Sequence, residues 1–264
     1  MADRSPATRR SLTVVLFAVF AFLYIPIATL VALSFNEGGL PTAWTGFSVK
    51  WYGALMANRD ILSAALNTLI VAMISTAIAV VLGTLLALGI ETRRRKGRAL
   101  EALVFAPMII PDIVLAIALL SFFSLLKVPM GLHTIILSHV VFNLAFVSAV
   151  VRARLKSFDW SVTEASADLG ASALTTFRRV TLPLILPAVI AGALLAFTLS
   201  VDEFIIAFFT AGAGRASTTL PMQIFAMIRF GVTPEINALA TLVMIVSVTA
   251  LTLSQRLNKG VIAP

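Results

Sequence analysis

The sequence predicts an all-helical, polytopic membrane protein. Composition is the first reason: 59% of the 264 residues are hydrophobic and only 12% are charged, whereas a soluble domain runs near about 45–50% apolar and about 25% charged. The mean hydropathy of +1.02 points the same way and weighs against a water-soluble enzyme. The second reason is distribution. Apolar residues gather in six stretches, 11–35, 61–90, 99–126, 134–151, 184–209 and 236–257, each long enough to cross a bilayer core of about 30 Å as a helix. A helix satisfies its backbone groups in lipid within one segment, and the alternation of a membrane barrel is absent from the sequence.

The first stretch follows Arg9 and Arg10, as a signal peptide would. Its apolar run exceeds a signal core of about 7–15 residues, so it reads as a retained span. Lys and Arg set the orientation. Fifteen of the twenty fall in the amino-terminal tail, the loop holding Arg93 to Arg98, the segment from Arg152 to Arg179 and the carboxyl tail. The other five, Lys50, Arg59, Lys127, Arg215 and Arg229, fall on the opposite side. The side richer in positive charge faces the cytoplasm, which places both termini inside. The net charge of +8 therefore reflects topology, and no nucleic-acid partner is expected. There is no cysteine, so no disulfide or thiolate metal site can form. His133 and His139 have no matching ligand cluster, and no metal is expected. No G-x-x-x-x-G-K-[ST] loop occurs, so the chain is not expected to hydrolyse ATP.

The cytoplasmic segment between the fourth and fifth stretches spans roughly thirty residues, where connections usually take about 2–8. Ser161 and Glu164 fit an S-x-x-E capping box. Gly170, following Asp168, can take the left-handed conformation that ends a helix. A second short helix is expected from about Ser172 to Val180, with Leu174 and Phe177 on one face and Arg178 and Arg179 near its end. Pro183 biases Leu182 away from helix, which predicts a turn before the fifth span. Two short helices at an angle on a membrane surface suggest a docking element rather than a connector.

These residues resemble the coupling segment of ATP-binding-cassette importer permeases, E-A-A-x3-G-x9-I-x-L-P. Glu164, Ala165, Ser166, Gly170, Val180, Leu182 and Pro183 stand at those spacings, with Ser166 in place of Ala and Val180 in place of Ile. The resemblance covers residues 62–257 as a core permease, with 11–35 as an extra amino-terminal helix, all in one transmembrane domain over 1–264. It implies a type I, MetI-like importer fold in a bacterial inner membrane and assigns 161–183, including Asp168, to ATPase coupling. It also implies partners: a cytoplasmic ATPase dimer that holds ATP and magnesium, a second homologous permease subunit and an extracytoplasmic solute-binding protein. No cofactor is expected on this chain.

Three carboxylates lie within predicted spans. Asp112 stands about 20 Å along the third, and Asp202 and Glu203 about 27 Å along the fifth. A mid-bilayer charge costs about 2.5–3.5 kcal/mol on insertion scales and normally faces a bundle interior or a water-filled path. One reading is a cation route. The other makes Asp112 a partner to a helix break near Pro107 and Pro111, and the pair a polar cap at the outer interface. The lack of Lys or Arg in the bodies of spans two, three, five and six favours a cationic solute over an anionic one. Met108–Leu115, Leu194–Phe204, Thr219–Met222 and Gly231–Thr241 are similar to the second permease subunit of spermidine/putrescine importers. That resemblance implies a polyamine, a small molecule with amines mostly protonated at neutral pH. Rivals are the same machine with another solute, such as a phosphonate or ferric ion, and an ion-coupled secondary transporter. Asn67, Asn143 and Asn237 are expected to bond between helices, His139 to be a satisfied bundle residue, and Trp44, Trp51 and Tyr52 to form an outer interfacial belt.

Overall fold

A computed structural model of the chain describes residues 6–39, 43–92, 97–229 and 231–259, with side chains described over 12–39, 43–92, 100–229 and 231–249. Arg4, the run Arg93 to Lys96 and the side chains of Arg9, Arg10, Arg98, Arg256 and Lys259 lie outside the described residues. The helices, in order, are α1 (Pro6–Leu33), α2 (Lys50–Ala57), α3 (Arg59–Thr92), α4 (Gly97–Ile109), α5 (Asp112–Leu125), α6 (Leu132–Leu155), α7 (Ser161–Asp168), α8 (Ala173–Thr176), α9 (Leu182–Asp202), α10 (Ile205–Thr210), α11 (Leu220–Ile228) and α12 (Pro234–Lys259). Among the described residues the one β feature is an isolated bridge between Asn36 and Phe47. The chain is an all-α, multi-pass membrane protein. Leu12–Leu33, Arg59–Thr92, Leu132–Leu155 and Ala173–Asp202 are each long and apolar enough to cross a bilayer, and α4 with α5 forms a bent fifth candidate. The sixth expected stretch is represented by the shorter apolar run Pro234–Thr249.

Three expectations are corrected. The third stretch is not one helix: α4 and α5 meet at 112° across Ile110 and Pro111. Proline lacks a donor and disfavours helix in the residue before it, and Pro111 is extended, with ψ 135°. The fifth stretch also breaks. α9 ends at Asp202, Glu203 turns extended with ψ 119°, and α10 resumes at Ile205. Pro183, finally, does not turn the chain before α9. Helix runs from Ala173 to Asp202 through a π turn at Phe177–Thr181, which hands the Leu182 N–H to the Phe177 carbonyl. The wider turn accommodates the proline ring and its missing donor.

The described structure comprises two compact units. One contains Met1–Leu62 and Ile224–Pro264, in which α12 packs on α1 and α2. Asn36 is fully buried there; its amide donates to the Ala43 carbonyl at 2.8 Å and its side-chain oxygen accepts the Thr45 N–H at 2.9 Å. Trp51 Nε1 donates to the Asn36 carbonyl, and Tyr52 bonds Ser34. These two aromatics of the expected belt are thus tied to the loop, while Trp44 is exposed.

The other unit is Ser63–Gln223. Its spine is α6, with 61% of its apolar window buried against none in α1. α6 packs along α9, α4, α10 and α5. Its core joins Ala79 and Ala87 of α3, Val147, Val151 and Leu155 of α6, and Ile185, Val189 and Ala196 of α9. Small residues let these helices approach, since lipid offers no hydrophobic drive between them and contact must supply it. Gly83 is the closest case: a Cβ there would sit 2.9 Å from Val147 Cβ and 3.2 Å from the Leu144 carbonyl oxygen. Gly83→Val should therefore force α3 and α6 apart and cost about 1–3 kcal/mol. Thermal unfolding of the detergent-solubilised chain should show a clearly lowered midpoint; an unchanged midpoint would contradict the close approach.

Candidate functional site

The segment between α6 and α9 is rooted before it begins. Phe158 is buried against Leu155 and Ile185, and Trp160 packs on the same core, its ring 5.0 Å from Phe158 and edge-on. Asp159 Oδ1 then accepts the Ser161 N–H at 3.0 Å. Hydrogen bonds from Ser161 hold this exposed carboxyl below its ordinary range. The expected Ser161–Glu164 capping box does not form. Ser161 already lies inside α7, Trp160 holds the cap position without a side-chain bond, and the acceptor two residues ahead of Ser161 takes over its role.

α7 ends as the sequence predicts. Gly170 has φ +80°, its N–H donates to the Ala167 carbonyl at 2.8 Å, and the Ala171 N–H reaches the Ser166 carbonyl at 3.1 Å. This is the paired closure that a left-handed residue after a helix allows. Ser172 caps α8 by accepting the Thr175 N–H, and Ser166 Oγ bonds Thr176 Oγ1 at 2.9 Å, pinning the two helices together. Ser166, the first departure from the family pattern, thus supplies a bond that alanine could not. No residue of α7 or α8 is buried. Glu164, Ala165, Asp168 and Gly170 are exposed. Leu169 and Leu174 are 89% and 65% exposed, and sequence reasoning missed Leu169 entirely. Burying one such leucine stabilises by about 1.5–3 kcal/mol, so the pair forms an apolar tip on an otherwise polar hairpin. Val180, Leu182 and Pro183 lie apart from that tip, within and just after the π turn.

The three carboxylates gather at the two helix breaks. Asp112 opens α5 and is exposed, in the first turn, where the helix dipole favours an anion. Asp202 closes α9 and is exposed, whereas Glu203, one residue later, is buried. Glu203 caps α10 with both oxygens: Oε1 accepts the Ile206 N–H and Oε2 the Ala207 N–H, each at 3.0 Å. α5 packs on α10 through Leu115, Ala116 and Ile206, so Asp112 opens the helix that lies beside the one Glu203 caps. His139 Nε2 lies 3.8 Å from Glu203 Oε2, and its Nδ1 bonds Ser200 Oγ at 2.7 Å. Ser200 in turn bonds Ser75 at 3.2 Å. A buried hydrogen-bonded chain, Ser75–Ser200–His139, therefore joins α3, α9 and α6 behind the break, while His139 Nε2, which makes no hydrogen bond among the described residues, lies close to Glu203. Ser75 and Ser200 carried no signal in the sequence beyond being small polar residues in spans.

Asn67 bonds the carbonyls of Arg215, Ala216 and Thr218, as a residue that joins elements should. Asn143 departs from that expectation, because its buried amide finds no partner among the described residues. A second cluster went unforeseen: Arg152 of α6, counted in the sequence only as topological charge, contacts Glu101 and Glu91. Among the described residues no group of His, Asp and Glu is arranged to hold a metal ion.

Residues 79–261 match the family model described as binding-protein-dependent transport system inner membrane component. The chain is 39% identical to the spermidine/putrescine transport system permease protein PotC of Haemophilus influenzae, over 92% of this chain and 95% of that protein. It is 42% identical to the putrescine transport system permease protein PotI of Escherichia coli, over 88% and 84%. Among solved structures, a bacterial ABC transporter involved in the import of the acidic polysaccharide alginate superposes with a TM-score of 0.75. That match has 16% identity and covers 97% of this chain and 99% of the other, so it speaks to the fold alone.

The double cap on α10 yields a prediction. Glu203→Ala strands two backbone donors in a buried setting at about 1–3 kcal/mol each, while Glu203→Gln keeps one acceptor oxygen. Thermal unfolding in detergent should rank wild type above Gln and Gln above Ala. Equal midpoints for the two variants would mean that the cap does not hold the break.

Proposed function

Because the chain belongs to the family of binding-protein-dependent transport system inner membrane components, we propose that it is the permease subunit of an ATP-driven importer that carries a polyamine, putrescine or spermidine, across the cytoplasmic membrane. One observation carries the ATP-driven reading: the α7–α8 hairpin is rigidly rooted and internally pinned, yet among the described residues it leaves Leu169 and Leu174 largely exposed. Such a hairpin fits a groove on a cytoplasmic ATPase subunit, with Glu164, Ala165, Ser166, Asp168 and Gly170 shaping the contact. The permease is a transport subunit; ATP and magnesium belong to the ATPase dimer. A second homologous permease completes the path, and an extracytoplasmic binding protein delivers the solute. The excess of Lys and Arg around the hairpin and at the chain ends supports both termini being inside. The segments 62–257 form the working core of one transmembrane domain, with 11–35 as an added helix.

The solute comes from the names of the relatives, and side-chain chemistry agrees with it. Asp112 and Asp202 are exposed at the ends of broken helices, where a carboxylate can attract a cation and lower its barrier. Glu203 adds negative charge from behind while holding α10. ATP can move this path only through its different affinity for the two states of the assembly.

The test is uptake in proteoliposomes that contain the chain with its co-purifying partners, labelled putrescine or spermidine and binding protein outside, and ATP inside. ATP-dependent accumulation is expected; accumulation driven by an ion gradient without ATP would overturn the reading. Leu169→Asp should cut co-purifying ATPase by about thirtyfold, as loss of a buried anchor worth about 2 kcal/mol does, and Glu164→Lys should abolish uptake with the chain still in the membrane. Asp202→Asn should lower uptake and leave ATPase binding intact. Undiminished uptake in Asp202→Asn would return that residue to a polar cap.

A further inference from the structure

Arg152 lies in the last turn of α6, on the side of the docking hairpin, and its guanidinium reaches two other helices. Nη2 donates to Glu101 Oε2 at 2.9 Å, Nη1 pairs with Glu101 Oε1, and Nε lies 3.6 Å from Glu91 Oε2. The Phe105 ring, one turn beyond Glu101 on α4, is 5.8 Å from Arg152 Cζ. The Arg152 and Glu91 side chains are only 14% and 7% exposed, while Glu101 is 35% exposed and is held by geometry more than by enclosure. Exposed ion pairs contribute little, but an enclosed one whose partner is removed leaves an uncompensated charge. Glu91 sits at the carboxyl end of α3, where the helix dipole disfavours an anion and a nearby cation offsets that cost. A planar fork gripping one carboxylate through two bonds also fixes register, which apolar packing alone does not.

We propose that Arg152 and Glu101 form the tie through which movement of the α7–α8 hairpin reaches α4, the 112° elbow and the carboxylate of Asp112 at the start of α5. This inference rests on the docking role proposed above. The path is contiguous and made of stiff parts. Phe158 and Trp160 root the hairpin on the end of α6, Arg152 holds Glu101 on α4, and α4 turns directly into α5. Arg152 and Glu101 are positioning residues; neither need touch the solute. Physical coupling between distant sites travels through such linked rigid elements.

The test uses the complex purified through this chain and reconstituted with binding protein. Bound ATPase, ATP hydrolysis and labelled putrescine uptake are measured on the same vesicles. Glu101→Gln should leave ATPase binding and hydrolysis unchanged and lower uptake per ATP hydrolysed about tenfold, a split that a merely stabilising residue would not produce. Because the chain has no cysteine, the tie can be rebuilt covalently. Glu101→Cys with Arg152→Cys and Glu91→Gln should be uncoupled when reduced and recoupled by a short thiol-reactive cross-linker of about the length of the lost pair. Unchanged uptake per ATP in Glu101→Gln would overturn the tie, as would a verified cross-link that restores nothing. If the wild-type chain brought no ATPase with it, the docking role would fall and the tie with it.

Discussion

A helix that breaks inside an apolar bundle leaves carbonyls at the end of one segment and N–H donors at the start of the next without partners, and lipid supplies none. This constraint organises the unit Ser63–Gln223. Its two interior breaks, at Ile110–Pro111 and at Glu203–Phe204, solve the problem differently. At the first, proline removes a donor and redirects the chain, and Asp112 opens the next helix with charge of the sign its dipole favours. At the second there is no proline or glycine, and the break is held by Glu203, which spends both oxygens on α10. The carboxylates are thus part of the architecture before any solute is considered. A broken helix that must carry acids is also a convenient place to meet a cation, so structural need and proposed transport role coincide in the same residues.

The second organising feature is the stiffness of α6. One of its ends roots the exposed hairpin through Phe158 and Trp160; its middle accepts Gly83 and Gly192 at close range through Val147; toward the other end His139 joins the chain behind Glu203. A helix packed this closely moves as a body, since close-packed interiors transmit displacement instead of absorbing it. The π turn at Phe177–Thr181 then makes the hairpin's exit continuous with α9. The hairpin is consequently clamped between α6, which packs against α4, α5 and α10, and α9, which ends at the second break, the property a link between an external subunit and an interior path requires.

Much of this was legible in the sequence, because apolar runs and termination signals are local. The helical class, the approximate spans and the left-handed Gly170 follow from hydropathy and from single residues. The family pattern in 161–183 located the hairpin, and Pro107 and Pro111 beside Asp112 offered a helix break in the third stretch as one of two readings. What was not legible depends on partners distant in the chain. The stop at Asp202 has no local signal, since Glu203 acts through donors three and four residues ahead in a conformation no propensity favours. Pro183 suggested a turn because its clash is local, while the π turn that relieves it lies in the preceding residues. Arg152 carried a topological meaning strong enough to hide its contacts with Glu91 and Glu101, which come from two other helices. Leu169 looked like one more leucine; only folding shows that it stays exposed among the described residues.

Asp202 and Glu203 show why adjacency in sequence is a poor guide to shared function. Both are acids and both were placed in one span with one pair of possible roles. The end of α9 falls between them, so Asp202 keeps helical geometry and faces outward, whereas Glu203 takes extended backbone and turns inward onto α10 and His139. A carboxylate committed to two backbone donors has little freedom to follow a moving ligand. One that is exposed at a helix end can reorient at low cost. In the proposed importer the two acids therefore divide the work: Glu203 fixes where the break is and contributes a stationary field, and Asp202 meets the solute. Asp112 stands across from them on α5, carried by the α4–α5 elbow. The spacing between a stationary charge and one mounted on a movable arm is then the quantity through which a conformational change can alter affinity for a polycation.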